Sequence, residues 1–317
     1  MLFAAFRGNL TIMKKLISYF AILAAAATLF ACGGQGVAPV DTSKDPDIWK
    51  PVGPGEEEKP VEPVKPGETY YPKASGSFRI VSYNVGAFNK YMSTKESTEM
   101  IAKMLLEVKA DAVGLNECDS VNTRHPGENQ VLNLAKQLGD WQWWFGRAMA
   151  YRGGAYGNGV VVPKDVKVLG KYTITLAKGA GAEQRSVAVV ETDKYVFGAA
   201  HLDHTSAAAR LAQVEIVNAW VESRYRDSKK PVFFLGDMND YPDSETIAGI
   251  KMNWDLLSVT SENSFPSRGA KNCIDFIFHY KNSAPVKVVG SHVMTEFYNG
   301  DVTMASDHLP IYVDLQF

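Results

Sequence analysis

Past residue 77 the chain alternates short apolar runs with clusters of polar residues, the pattern of strands joined through turns and helices. Residues 78–85 (FRIVSYNV) read as an opening strand and 110–116 (ADAVGLN) as a second. Between them, Met100, Ile101, Met104, Leu105 and Val108 fall on one helical face, and Ser93 with Glu96 forms a capping box, so a helix is expected over 94–108. A second helix is expected over 129–138. Trp141, Trp143, Trp144 and Phe145 follow it, and so dense an aromatic run reads as sheet packing ahead of base stacking or lipid contact. Tyr156-Gly157-Asn158-Gly159 leads into Val160, Val161 and Val162, and residues 185–190 and 195–200 read as two further strands. Leu211, Val214, Val217 and Val221 mark a helix capped by Thr205 or Ser206. A short helix over 243–250 follows, then strands over 272–280 and 309–315.

The pattern is organised around residues 231–240, PVFFLGDMND. Val232, Phe233, Phe234 and Leu235 suit a strand covered on both faces. Gly236 breaks the run, and Asp237 and Asn239 then stand at the strand end, where open α/β sheets place their chemistry. An Asx-turn accounts for this segment equally well when it is taken by itself.

Other strand ends repeat the theme. Asn84 closes the first strand and Glu117 the second. A carboxylate just past an apolar strand is costly unless it is solvated, paired or bound to a cation. Asn158 lies in Tyr156-Gly157-Asn158-Gly159. His201 and His204 flank Leu202-Asp203; with neither Cys nor a third His nearby they do not read as a zinc site, and a strand-end histidine is better placed to bind an oxyanion or pass a proton. Asp275 sits among Ile274, Phe276, Ile277 and Phe278 and needs a histidine or cation as partner. Asp307 and His308 precede the last strand. Each has a bland explanation singly. Together they offer carboxylates for a hard divalent ion, imidazoles for proton handling and amides for orienting oxygens.

Composition adds an address and removes some alternatives. Of 317 residues, 46% are hydrophobic and 21% charged, with net charge -2; no general polyanion-binding surface is implied. The three cysteines, Cys32, Cys118 and Cys273, do not make a disulfide scaffold, and Cys118 reads as a buried filler. Lys14 and Lys15 precede an apolar run over 16–30, which ends at Leu29-Phe30-Ala31-Cys32-Gly33. That resembles a bacterial lipobox, so 1–31 is expected to be a lipoprotein signal peptide with Cys32 lipidated. Eight prolines and the run Glu56-Glu57-Glu58 make 32–77 a Pro-rich tether, leaving 78–317 as the folded domain. No Ser-His-Asp motif, Gly-rich nucleotide loop or catalytic-Cys context competes with the strand-end residues.

SYNV at 82–85, LNE at 115–117, YGNG at 156–159, HLDH at 201–204, GDMND at 236–240, IDFIF at 274–278 and SDHLP at 306–310 occur in an order and spacing that resembles the endonuclease/exonuclease/phosphatase superfamily. The resemblance implies an α/β four-layer sandwich, two mixed sheets face to face with helices outside. It implies Mg²⁺ (or Mn²⁺) held by Glu117 with Asn84 and Asp307 nearby. Asp237 would activate or orient the attacking water, and Asn239 would position it or a phosphate oxygen. Asp275 would hold His308 in one tautomer, and His308 would bind a phosphate oxygen or share the base role. His201, aligned by Asn158, would stabilise phosphoryl charge or assist the leaving oxygen. Tyr156, Asn158, His204 and Arg268 are the candidate substrate contacts. Cys273 departs from the family, where an Arg is common, which would remove a buried salt bridge.

The function expected is a metal-dependent phosphodiesterase, a monomeric domain tethered in a bacterial cell envelope. The substrate classes it admits are nucleic acid, phospholipid head groups, and inositol or sugar phosphates, including monoesters. The alternative is a catalytically idle anchored binding module, which has no need of so many costly strand-end charges.

Overall fold

A computed structural model describes residues 60, 62, 65 and 67–317. The expected signal peptide, Cys32 and most of the Pro-rich tether lie outside the described residues.

Among the described residues twelve strands form two six-stranded mixed sheets. The first contains β1 (Phe78–Asn84), β2 (Ala112–Ser120), β3 (Gln142–Tyr151), β4 (Gly154–Val162), β11 (Lys287–Val293) and β12 (Ile311–Gln316), in the order β11-β12-β1-β2-β4-β3. The second contains β5 (Val168–Leu176), β6 (Arg185–Thr192), β7 (Val196–His201), β8 (Val232–Asp237), β9 (Trp254–Leu256) and β10 (Asp275–Tyr280), in the order β5-β6-β7-β8-β10-β9. Each sheet has one parallel pair, β1 with β2 and β7 with β8. A parallel pair needs a crossover, and helices supply it: α1 (Thr94–Glu107) for the first and α3 (Ala207–Tyr225) for the second. The other helices are α2 (Gln130–Gln137), α4 (Glu245–Asn253) and the one-turn α5 (Val302–Ala305).

The sheets pack face to face, and small residues set how closely. A Cβ on Gly114 of β2 would sit 2.5 Å from Leu235 of β8, and one on Gly146 of β3 would sit 2.7 Å from Ala188 of β6. Strand β8 shows how the sequence pattern serves two layers. Phe233 and Leu235 join the core shared with the first sheet, while Val232 and Phe234 face Val217, Val221, Ile247 and Ile250 of α3 and α4. The period-two alternation of a strand thus feeds both faces with apolar groups. The expected capping box on α1 is present, with Glu96 N donating to Ser93 Oγ, and Asn129 and Ser206 cap α2 and α3.

Five strands are not marked as strands by the sequence pattern: β3, β4, β5, β9 and β11. An aromatic run opens β3, and Gly157 and Gly159 interrupt β4. β5 and β11 are half-exposed edges interrupted by Gly170 and Gly290, and β9 has three residues, so none of these three carries a clean apolar alternation. Strand limits also move. β2 runs on past Glu117 to Ser120, β8 continues through Gly236 to Asp237, and β10 starts at Asp275.

The first sheet also fixes the approach to the domain. Buried Arg79 pairs with Asp314 through Nε (2.7 Å) and a terminal nitrogen (2.6 Å), and donates to the Tyr71 and Val108 carbonyls. Tyr70 stacks on Tyr298 with ring centroids 4.3 Å apart. The docked chain therefore begins ahead of residue 78.

Candidate active site

The two parallel pairs bring the ends of β1, β2, β7 and β8 to one rim. Asn84, last residue of β1, donates from Nδ2 to Glu117 Oε1 and to Asp237 Oδ2, both at 3.1 Å, so the two sheets meet through one amide. Glu117 lies in a bulge of β2 between Leu115 and Cys118, with φ 59, a left-handed conformation that a non-glycine residue adopts at a cost of about 1 kcal/mol or more. Gly236 is required just before Asp237: its φ is 134 and a Cβ there would stand 1.9 Å from the Ala200 carbonyl.

Asn116 secures this rim from beneath. Its Oδ1 accepts from Asp237 N–H at 3.0 Å, and its Nδ2 donates to Ala200 O at 2.7 Å and Asn158 Oδ1 at 3.0 Å. Asn158 in turn donates to Ser186 O at 2.8 Å. Asn158 therefore braces Asn116 within the first sheet and ties that sheet to the second through Ser186; it is not the partner expected for His201. Asn239 donates N–H to Asp237 Oδ1 at 2.8 Å and Nδ2 to Leu202 O at 3.0 Å, which fixes the Asp237 carboxylate.

Asp237 Oδ2 faces His201 Nε2 at 3.5 Å and His308 Nε2 at 3.7 Å. The ladder between β8 and β10 pairs Asp237 directly with Asp275, and Asp275 Oδ2 receives His308 Nδ1 at 2.9 Å and Ser264 Oγ at 2.6 Å. Asp275 thus draws its partners from His308 and Ser264. Cys273, where the family resemblance suggests Arg, is a buried filler whose thiol burial pushes up to about 12. Burial disfavours a charged His308, yet the adjoining Asp275 carboxylate prevails and raises the imidazole to about 10. Burial, reinforced by the Asp275 charge, raises Asp237 to about 7. A carboxyl so placed is suited to accept a proton near neutrality.

His201 has a different environment. Burial first, then Arg185, hold its imidazole well below the ordinary histidine range. Arg185, the first residue of β6, is 2% exposed; it donates to His201 Nδ1 at 3.1 Å and to His204 Nδ1 at 3.0 Å. Charge on this side of the site thus comes from a guanidinium and not from a His201 imidazolium. Tyr156 is half-buried; burial raises its phenol well above the ordinary range, with Glu117 adding to and Arg185 opposing the shift, so it lies within reach of both. Arg268 has its guanidinium 4.1 Å above the Tyr91 ring and donates from Nε to Thr303 O at 3.2 Å.

The oxygen-rich side of the rim fits a hard divalent ion. Lys90 Nζ sits 2.6 Å from Asp307 Oδ2, and its ammonium is held above the ordinary range, first by that hydrogen bond and also by the Glu117 charge. Two carboxylates that act together on one cation are the hard oxygen donors such an ion takes; Asn84 turns its N–H groups to Glu117 and Asp237 and its Oδ1 to Gly86 N–H, so it braces these carboxylates and offers the ion no oxygen. Asp237, Asp275 and His308 also converge, with ligand atoms within 4.8 Å of one another. We assign these three to proton handling, because His308 Nδ1 and Asp275 Oδ2 are already engaged with each other.

Arg185, Asn116, Lys90 and Ser264 are missing from the sequence-based inventory. That inventory followed polar residues at the carboxyl ends of strands. Arg185 begins its strand, and reaches the same rim because β6 runs antiparallel to β7. A lone basic residue opening an apolar strand was the available signal.

The chain matches the Endonuclease/Exonuclease/phosphatase family over residues 81–308, and it belongs to that family of phosphate-ester hydrolases. Among solved structures it resembles a mannosyl-6-phosphatase of Bacteroides thetaiotaomicron VPI-5482, with 20% identity and TM-score 0.63 over 76% of this chain and 100% of that one. It also resembles an endonuclease/exonuclease/phosphatase from Bacteroides vulgatus, with 19% identity and TM-score 0.62 over 76% and 99% of the two chains. TDP2 of D. rerio, complexed with a single-strand DNA product, aligns with 17% identity and TM-score 0.57 over 76% and 99%. At these identities the likeness is one of fold. No curated protein matches the sequence.

Proposed function

We propose that the chain is a divalent-metal-dependent phosphodiesterase, carried on a lipid anchor at Cys32 in a bacterial cell envelope. One observation carries the catalytic part: Asp237, with its carboxyl near neutrality, stands between two imidazoles and shares Asn84 with Glu117. Glu117 and Asp307 would hold Mg²⁺ or Mn²⁺, with the Asn84 amide bracing Glu117; the ion when bound supplies positive charge to an anionic phosphoryl group. Asp237 accepts a proton from the attacking water, with Asn239 fixing its carboxylate. His308, kept cationic by Asp275, stabilises charge on a phosphoryl oxygen. Tyr156 and His204 line the approach for substrate. The envelope address rests on Lys14, Lys15, the apolar run and Cys32.

The test is hydrolysis of bis-(p-nitrophenyl) phosphate and p-nitrophenyl phosphate with Mg²⁺ or Mn²⁺, with and without chelator. Diester turnover that a chelator abolishes is expected. Turnover indifferent to chelator removes the metal role, and exclusive monoester turnover makes the protein a phosphatase. A panel of supercoiled and single-stranded DNA, RNA, sphingomyelin and inositol phosphates then selects the natural class. Globomycin-sensitive labelling of Cys32 with palmitate checks the anchor.

A further inference from the structure

We propose that Arg185 is a positioning residue that locks His201 as its neutral Nε2–H tautomer, so that His201 donates a hydrogen bond to the phosphoryl group and does not protonate the leaving oxygen. The second half rests on the phosphodiesterase function proposed above.

A guanidinium has five N–H donors and no acceptor. At 3.1 Å from an Arg185 nitrogen, His201 Nδ1 must therefore present its lone pair, and the ring proton resides on Nε2. The same guanidinium donates to His204 Nδ1 at 3.0 Å, and Glu183 Oε2 lies 3.3 Å from it. Arg185 is 2% exposed and His201 4%, so neither moves aside cheaply. Protonating His201 Nδ1 would set N–H against N–H and place a second positive charge beside the first, away from water. The groups facing His201 are Arg185 and His204 behind it and Asp237 and His308 in front.

The proton inventory follows. A neutral imidazole that gave up its Nε2 proton would become an imidazolate, which is out of reach near neutral pH. His201 can donate a hydrogen bond but no proton. In the displacement, water oxygen bonds to phosphorus, its proton passes to Asp237, and the P–O bond to the leaving group breaks with the electron pair kept by that oxygen. The leaving oxygen then takes a proton from solvent. A group without acid assistance must tolerate negative charge, so turnover should depend steeply on leaving-group basicity.

Two measurements on the full-length chain test this. The first is long-range ¹H–¹⁵N correlation of the histidine rings, with His201→Gln for assignment. Wild type should show His201 with Nδ1 bare and Nε2 protonated across pH 6–8, and Arg185→Met should lose that preference. A wild-type spectrum with Nδ1 protonated overturns the proposal, whether or not the variant folds. The second is kcat/KM for a series of aryl phosphodiesters. A steep fall with rising leaving-group pKa is expected in wild type, and a shallower one in Arg185→Met. A flat wild-type series shows acid assistance and overturns the assigned role. The spectrum needs no turnover, so absence of hydrolysis would defeat the phosphodiesterase function and leave the Arg185–His201 assignment to be decided by the ring nitrogens.

Discussion

His308 Nδ1 lies 2.9 Å from Asp275 Oδ2, while its Nε2 faces Asp237 Oδ2 at 3.7 Å. One carboxylate thus orients the imidazole and another receives its working face. Against the cost of burial, Asp275 raises His308 to about 10, so the ring is cationic throughout neutral pH. Asp275→Asn removes that charge, and His308 should titrate closer to the ordinary histidine range. The expected outcome is a loss of roughly 10²-fold or more in kcat and an alkaline limb of the pH–rate profile displaced to lower pH. The stability sign is also fixed. A folded pKa raised above the unfolded value stabilises fully below the unfolded pKa and loses that contribution as pH rises through about 10. Wild type and Asp275→Asn should therefore converge in urea midpoint above that pH. An alkaline limb that stays in place would show that Asp275 does not govern His308.

Asn116 carries a structural prediction. Its amide accepts from Asp237 N–H and donates to Ala200 O and Asn158 Oδ1, all buried, so Asn116→Ala would strand groups on both sheets. Each stranded group costs about 1–3 kcal/mol. The expected outcome is a loss of about 2–4 kcal/mol in urea unfolding with an unchanged slope. A drop below about 0.5 kcal/mol would mean that water satisfies these groups and that the bridge between sheets is incidental.

The fold was largely legible because its buried strands need apolar residues on both faces, as in residues 232–235, and because Ser93 with Glu96 announces a helix start. The convergence of Asn84, Glu117 and Asp237 followed from strand ends at one rim of two sheets. What stayed hidden depends on register and side-chain reach. Nothing in YGNG says that Asn158 grips Asn116 and leaves His201 to Arg185. Nor does Ala-Val-Gly-Leu-Asn-Glu announce a bulge with Glu117 in a left-handed conformation; such strain answers to neighbours distant in sequence. Edge strands such as β11 expose residues on both sides and lose the alternation that marks a strand.

Asp203, inside the His-Leu-Asp-His segment, has a purely structural part. Burial would raise its pKa. Hydrogen bonds from Thr205 N, Ser206 N, Thr205 Oγ1 and Ala182 N overcome this and lower it to about 2. The depressed value stabilises the fold above the unfolded carboxyl pKa, and that stability is lost as pH falls through about 2. Asp203→Asn should cost about 2 kcal/mol at pH 7. The difference from wild type in guanidinium midpoint should shrink as the pH is lowered toward 2. A gap that persists undiminished at acid pH would show that shape, not charge, makes the residue necessary.

Lys90 bears on the proposed metal site. Its ammonium contacts Asp307 at 2.6 Å and is drawn also by Glu117, so it offers positive charge to the two carboxylates proposed to hold the ion. A bound ion must compete with it. The lysine side chain is 46% exposed, so the ion pair is worth at most ~1 kcal/mol. Lys90→Met removes the competitor and should tighten binding of Mn²⁺ about two- to fivefold, the equivalent of that energy. Isothermal titration calorimetry of the full chain reads this directly, without any substrate. The gain should fade in 0.5 M salt, where wild-type Lys90 is itself screened from Asp307. Affinity that is unchanged or weaker in the variant would mean that Glu117 and Asp307 do not form the metal site, because a lysine held by true ligands cannot be removed without consequence for the ion that replaces it.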